Sequence, residues 1–331
     1  MNYIGSKYKL SKFIKFAIKE KVGEMKDKVF CDLFAGTGAV ARSFKTESEK
    51  IIANDIEFYS YVLNKNYIEN HEEIEWKKFI DELNSLDGVE GFIYNHYCLG
   101  SGSERQYFSD ENGKKIDAIR QEIEEWHNVG YISRKQYYFL LTSLLEDADA
   151  VANTASVYGA FLKHLKKSAQ KPLILKGAEF AINEAKHEVY NKDANILINE
   201  IEGDVLYLDP PYNARQYGSN YHLLNTIALY DNFVPTGKTG LRDYQRSRYC
   251  QKREVSLVFE DLIKNANFKH IFLSYNNEGL MSETEVRKIM EKYGRYDLAT
   301  TEYQRFKADK TENRNHKATE TTEYLHILEK K

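Results

Sequence analysis

The run KVFCDLFAGTGAVARSF, Lys28 to Phe44, reads as strand, glycine turn and helix. KIIANDIE, Lys50 to Glu57, then reads as a second strand, followed by a helix from about Phe58 to Asn70. Two turns of a βαβ pattern are the signature of a parallel, doubly wound sheet, which places the chain in the α/β class. Upstream, Leu10, Phe13, Ile14, Ala17 and Ile18 recur at helical spacing with Lys9, Lys12, Lys15 and Lys19 on the other face. An amphipathic helix is therefore expected near the start, preceded by the extended NYIGSK.

From about Glu72 to Asn195 the character changes. The segment is polar and mostly helical in pattern, interrupted by GSGSERQYFSDENGKK, and SRKQYYFLLTSLLEDADAVAN inside it reads as a buried helix. No βαβ unit is visible there, so an inserted lobe is expected. The sheet resumes at DVLYLD and KHIFLSYNN, whose apolar runs suit buried parallel strands. DLATTEYQRF and TTEYLHILEK predict a last strand pair. The expected organisation is residues 1–71 and 196–331 as two parts of one core, with 72–195 inserted.

A chain of 331 residues with 42% hydrophobic residues has enough apolar mass for a substantial core. The net charge of −3 argues against wholesale affinity for nucleic acid. Local runs differ from that average. Lys163, Lys166, Lys167, Lys171 and Lys176 share a window with no acid, and Lys238, Arg242, Arg246, Arg248, Lys252 and Arg253 share theirs only with Asp243. Taken alone, such runs are most often solvated faces. The three cysteines, Cys31, Cys98 and Cys250, are scattered and lack metal-ligand spacing. That fits a reducing, bacterial-type cytosol, and no signal peptide or membrane-length apolar run is evident, so a cytoplasmic protein is expected.

DLFAGTG ends a strand and opens a helix, so backbone N–H groups and a helix N-terminus face whatever binds there. GTGAVA also satisfies the dinucleotide fingerprint in its alanine-ending form, and Asp55 lies 17 residues past Gly38, where an acid could hold ribose hydroxyls. A nucleoside-containing cofactor is implied. Nicotinamide and S-adenosylmethionine explain the turn equally well.

DVLYLDPPYNARQYG, Asp204 to Gly218, separates them. Two of the four prolines in the chain sit side by side here, just past a buried strand. Proline fixes φ and donates no hydrogen bond, so the Asp209 carboxylate and the Pro210 carbonyl can both be aimed outward as rigid acceptors. Two converging acceptors suit an NH₂ group. An aryl amine is a poor nucleophile because its lone pair is delocalised, and acceptors on its hydrogens localise that pair and stabilise the charge that grows during attack. Tyr212 offers a flat face for the heterocycle carrying the amine.

DPPY after an apolar strand, with FAGTG upstream and an N-terminal YIGSK, resembles the Dam-like, alpha-group N(6)-adenine DNA methyltransferases of restriction–modification type. The order of parts agrees: cofactor motifs, a middle recognition region, then the catalytic tetrapeptide. The resemblance implies a class I S-adenosylmethionine (SAM)-dependent methyltransferase fold, Rossmann-like and mainly parallel, with an inserted, mostly helical target-recognition lobe. It implies that Tyr3, Ser6 and Lys7 border the methionine moiety of SAM, Lys7 as a carboxylate partner. Asp32, Phe34, Gly36 and Gly38 would form the cofactor turn, and Asp55 would hold the ribose. Asp209, with Pro210 and Pro211, would engage the target amine beside the cofactor, while Tyr212 stacks on a base flipped out of duplex DNA. Transfer would be direct. No cysteine follows a proline, so the Pro-Cys nucleophile of cytosine C5 enzymes is missing, and neither a metal nor a His/Cys ligand set is called for.

LSYNNEGL places Ser274, Tyr275 and Asn276 at a strand exit, where they could line the target-base pocket or simply leave the sheet. Beside a DPPY site, Arg215 and the basic stretch of about 235–254 become candidates for phosphate contacts, as do Lys163, Lys166 and Lys167 from the insert. The expected partner is double-stranded DNA, with a cognate endonuclease encoded nearby and the enzyme acting as a monomer. Three other readings stay open: an RNA guanine N(2) methyltransferase, a nicotinamide oxidoreductase resting on GTGAVA, and a DNA-binding module without catalysis.

Overall fold

The structure is a computed structural model that describes residues 7, 10–304 and 320–331. The chain forms two compact units. One holds Glu57–Ile182 and Tyr217–Tyr244; the other holds the preceding residues up to Ile56, with Asn183–Gln216 and Gln245–Lys331.

The second unit carries the sheet. Its strands are β1 (Val29–Asp32), β2 (Lys50–Asn54), β3 (Glu188–Tyr190), β4 (Glu202–Leu208), β5 (Asn267–Asn276), β6 (Gly294–Gln304) and β7 (Glu320–Lys330). Among the described residues they form one seven-stranded sheet in the order β3-β2-β1-β4-β5-β7-β6. All pairings are parallel except those of β7, which runs antiparallel to both β5 and β6. The inner strands are apolar because both faces are covered: Phe30, Cys31, Val205, Leu206, Leu208, Ile271, Phe272 and Leu273 are all fully buried. Helices Ser11–Val22, Val255–Asn265 and Glu283–Glu291 belong to this unit, and the last begins with a reciprocal Ser282–Glu285 capping box. Asn54 stitches the ends of three strands: its amide donates to the Leu33 and Lys192 carbonyls, each at 3.1 Å, and its oxygen accepts from the Lys192 N–H at 3.0 Å.

The first unit is helical. Helix Phe58–Asn64 widens into a π-helical turn over Lys65–Glu69, and Asp110–Asn128, Arg134–Val151 and His222–Leu229 pack with it around one apolar cluster. Ser109 and Ser133 cap the two long helices, the second through a capping box with Gln136. Ile116, Ile119 and Ile123 form the buried stripe of the first of these.

The units divide the chain at places other than 72 and 195. The helix from Phe58 belongs to the lobe because Tyr59, Val62 and Leu63 are part of its core. Residues 183–195 belong with the sheet, where β3 pairs with β2. Tyr217–Tyr244, expected in the catalytic part, joins the lobe, whose core includes Leu223, Leu224 and Ile227. The predicted last strand pair is present as β6 and β7, except for residues 305–306, which lie outside the described residues.

Candidate active site

The strand order reverses at β1, which has β2 on one side and β4 on the other. Ligands of open α/β sheets bind beyond the carboxyl ends of the strands at such a point. Asp32 ends β1, Asp55 follows β2 and Asp209 follows β4, so the topology alone brings three acids to this edge. Asp32 feels the charges of the other two.

The glycine turn sets the geometry around Asp32 and Asp55. Gly36 and Gly38 have φ of +52° and +73°, a backbone region that penalises any side chain. In that conformation the Gly36 N–H donates to Asp55 Oδ2 at 2.8 Å. Asp32 Oδ2 accepts from the Ala41 N–H at 3.2 Å, in the first turn of helix Ala39–Phe44. Asp32 Oδ1 is buried and has no hydrogen-bond partner among the described residues. Burial, reinforced by the negative charge of Asp209, holds the Asp32 carboxyl well above the ordinary aspartate range.

Asp209 meets an ammonium. Lys7 Nζ lies 3.3 Å from Asp209 Oδ1 and 3.3 Å from Glu323 Oε2, with the Tyr212 ring centroid 5.9 Å away. Burial lifts the Asp209 carboxyl to about 6; Lys7 opposes the rise and Glu323 adds to it. Burial alone would lower the Lys7 value, but Asp209 and Glu323 outweigh it and hold the ammonium charged. Tyr212 is fixed from behind: its carbonyl accepts from the Leu280 N–H at 2.8 Å, and Tyr275 packs edge-on at 6.5 Å.

A family model described as "D12 class N6 adenine-specific DNA methyltransferase" matches residues 3–289. The chain belongs to that family. It is 66% identical to the Type II methyltransferase M.NlaIII of Neisseria lactamica, over all of this chain and 99% of that one. It is 39% identical to the Type II methyltransferase M.FokI of Planomicrobium okeanokoites, again over the whole chain, but spans only 53% of that relative's length. Identity to M.CviAII of Paramecium bursaria Chlorella virus 1 is 36%, covering 93% of each. The protein is thus an adenine-specific DNA methyltransferase that uses SAM, and the nicotinamide and RNA guanine readings fall with these matches.

In this methyltransferase Lys7, Asp32, Asp55, Asp209 and Tyr212 lie together at the sheet edge, linked by the contacts above. Tyr3 and Ser6 lie outside the described residues. Lys7, expected to meet the methionine carboxylate, has two carboxylate partners from the chain itself. Phe34 is half-buried, edge-on to Tyr249 at 5.0 Å, and Pro210 is buried with Pro211 half-buried beside it. Ser274 and Asn276 are buried at the end of β5, and Asn276 Oδ1 accepts from the Glu278 N–H at 3.1 Å. Tyr275 departs from expectation. Alternation along the strand turns it to the opposite face, where it is 1% exposed and its hydroxyl accepts from the Met281 N–H at 3.3 Å. It buttresses Tyr212.

The basic residues separate into free and committed. Lys163, Lys167, Arg215, Lys238, Arg246, Arg248, Lys252 and Arg253 are exposed, although the Lys252 ammonium caps the Leu280 carbonyl. Lys166 Nζ donates to the Thr154 carbonyl at 2.7 Å. Arg242 is a correction: it forms a bidentate pair with Asp231 at 3.0 and 2.9 Å and lies over the Phe233 ring at 4.9 Å, so its fork is already filled. The sequence reading missed Glu323. An acid heading the buried stripe Glu323, Leu325, Ile327 was the available signal.

Among the described residues no helix is long and apolar enough to cross a membrane.

Proposed function

We propose that this methyltransferase is the modification enzyme of a Type II restriction–modification system. It would methylate N(6) of an adenine flipped out of duplex DNA, with Asp209 and Pro210 engaging the amine and Tyr212 stacking on the base. The observation that carries the residue assignment is Asp209 itself. It is a largely buried carboxylate, fixed by two prolines and one ammonium, with 18% of its side chain still exposed.

SAM supplies an electrophilic methyl group when bound. Its chemistry fits the residues present. Asp32 Oδ1 is a buried acceptor lacking a donor among the described residues, and the raised carboxyl it belongs to is the environment that a cationic ligand relieves. Asp55, tied to the glycine turn, has the character to accept from ribose hydroxyls. Gly36 and Gly38 leave the turn free of side chains where a nucleoside must approach. Phe34 would border it. Asp209 and the Pro210 carbonyl accept the two amine hydrogens, which localises the nitrogen lone pair. The Asp209 carboxylate then stabilises the positive charge that grows on that nitrogen. Only its ionised form can do so, so turnover should fall as pH drops through about 6.

Arg246, Arg248, Lys252 and Arg253, with Arg215 and Lys238, are our candidates for phosphate contacts, and Lys163 and Lys167 are candidates from the lobe. Arg242 braces the loop that carries Lys238. Ser274 and Asn276 remain candidates for the rim of the base pocket. The lobe would read the target sequence, a cognate endonuclease would share that target, and the enzyme would act as a monomer.

The test is expression in a host lacking adenine methylation, followed by sequencing that detects modified bases directly. Methylated adenine in one short motif is expected, absent when Asp209→Ala is expressed instead. Unmodified DNA from soluble wild-type protein would overturn the reading.

A further inference from the structure

β7 is the strand that runs against its neighbours, so its amino-terminal end lies where the parallel strands have their carboxyl ends. Glu323 there pairs in register with Asn276 at the exit of β5. An acid in that buried position needs a partner. It finds Lys7, the same ammonium that touches Asp209, with both contacts at 3.3 Å.

We propose that Glu323 is a positioning residue for methyl transfer, sharing the Lys7 ammonium with Asp209 so that the carboxylate is fixed and the three groups keep one net negative charge. The inference rests on Asp209 being the acceptor of the target amine. Lys7 and Asp209 alone would make a neutral pair, and a neutral pair gives little to a nitrogen becoming positive. With Glu323 the cluster sums to −1, and the surplus faces the reaction. An ammonium with two partners at equal distance is also held against swinging toward either one.

The other groups facing this cluster bring no second cation that would cancel the surplus. Asp209 acts on Asp32 at the end of β1, and the phenols of Tyr207 on β4 and Tyr212 after it stand against the same carboxylates. Glu278, from the loop after β5, acts on Tyr212. All of these are acidic groups, and among the described residues the cation acting on the Asp209 carboxyl is Lys7.

The test compares full-length wild type, Glu323→Gln, Glu323→Asp and Asp209→Ala with labelled SAM and genomic DNA from a host lacking adenine methylation. Glu323→Gln keeps shape and hydrogen bonding but removes the charge. We expect its kcat to fall by at least about tenfold while SAM affinity stays within about twofold. Its acidic limb should move to lower pH, because Glu323 raises the Asp209 value. Glu323→Asp should restore much of the rate and keep the limb near that of wild type. An unchanged kcat, or a loss with an unmoved limb, would overturn the inference, the latter leaving Glu323 a merely structural role. If Glu323→Gln does not fold, Glu323→Asp decides: a limb shifted as far as a charge loss would shift it counts against the proposal. Asp209→Ala separates the two levels, because it removes both the charge and the acceptor oxygen. If it still turns over, the reading of Asp209 fails; if it is dead while Glu323→Gln behaves as wild type, only the role of Glu323 fails.

Discussion

Asp117 in the helical lobe and Asp32 at the end of β1 are both aspartates removed from water, at 0% and 1% exposure. Asp117 is filled. It accepts from the N–H groups of Gly91, Ile93 and Tyr94 at 3.1, 2.8 and 2.8 Å, and from the Tyr230 hydroxyl at 2.6 Å. Nearby Arg120 is filled too, donating to the carbonyls of Ile227 and Ala228 and to Glu124, all within 3.0 Å. Asp32 has one donor, and its other oxygen has none among the described residues. Burial raises both carboxyls, but four hydrogen bonds oppose the rise at Asp117, whereas at Asp32 a single N–H does so and neighbouring acids add to it. A buried polar group whose capacity is used up holds a fold together, and one with capacity left over is waiting for something.

The comparison breaks first at Asp209. Asp209→Ala should lower methyl transfer by at least about 10²–10³-fold, the cost of losing one preorganised electrostatic partner in a desolvated site. Thermal stability and SAM affinity should stay near wild type, since among the described residues the lost carboxylate has one ion pair, and it serves the base. Single-turnover transfer and calorimetric SAM titration read the two effects separately, and near-normal transfer would remove Asp209 from the mechanism. Asp117→Ala should do the opposite. Three backbone N–H groups and a phenol lose their acceptor, so unfolding free energy should drop by about 3–5 kcal/mol, with the chemistry of surviving folded protein unaltered. Urea titration measures it, and a loss below about 1 kcal/mol would mean that water replaces the carboxylate.

How far these sites were legible follows the same division. The sheet edge was readable because its chemistry is concentrated in short runs: FAGTG fixes a turn only glycine tolerates, and DPPY places rigid acceptors after a strand. The lobe was readable as helices, since SRKQ carries its own capping box, but its limits were not. Nothing local says that Tyr59 shares a core with Leu224, or that the chain after DPPY leaves the sheet unit to supply helix His222–Leu229. Asp117 could not have been found as the cap of a helix beginning 25 residues before it, because the contact is tertiary. Glu323 depended on β7 reversing direction, and a single strand does not announce which way it runs. Arg242 looked like its basic neighbours until Asp231 was seen to occupy it.

A subtler break is Asp32→Asn, which keeps an acceptor for the Ala41 N–H and removes the ionisable oxygen. The folded state holds this carboxyl above its free value, so the group stabilises the fold at acid pH. That contribution is lost as pH rises from the ordinary aspartate value through the folded one. The variant should therefore melt higher than wild type at neutral pH and show a flatter dependence of Tm on pH. If the spare capacity is held for SAM, its affinity should drop by about tenfold, the scale of one hydrogen bond to a charged group. Equal melting curves, or unaltered SAM affinity, would make Asp32 a second Asp117.

The smallest expected effect tests surface rather than buried charge. Arg246 and Arg248 are exposed and outside the ion pairs found among the described residues, unlike Arg242. If both meet phosphates, each releases a condensed counterion when DNA binds. Replacing both by glutamine should then reduce the slope of log affinity against log salt by about two. Affinity at low salt should weaken across all sequences alike, because phosphate contacts position without reading bases. Arg242→Gln, by contrast, should leave the slope unchanged and cost stability through Asp231. A slope that responds to Arg242 and ignores Arg246 and Arg248 would reverse the division between free and committed cations.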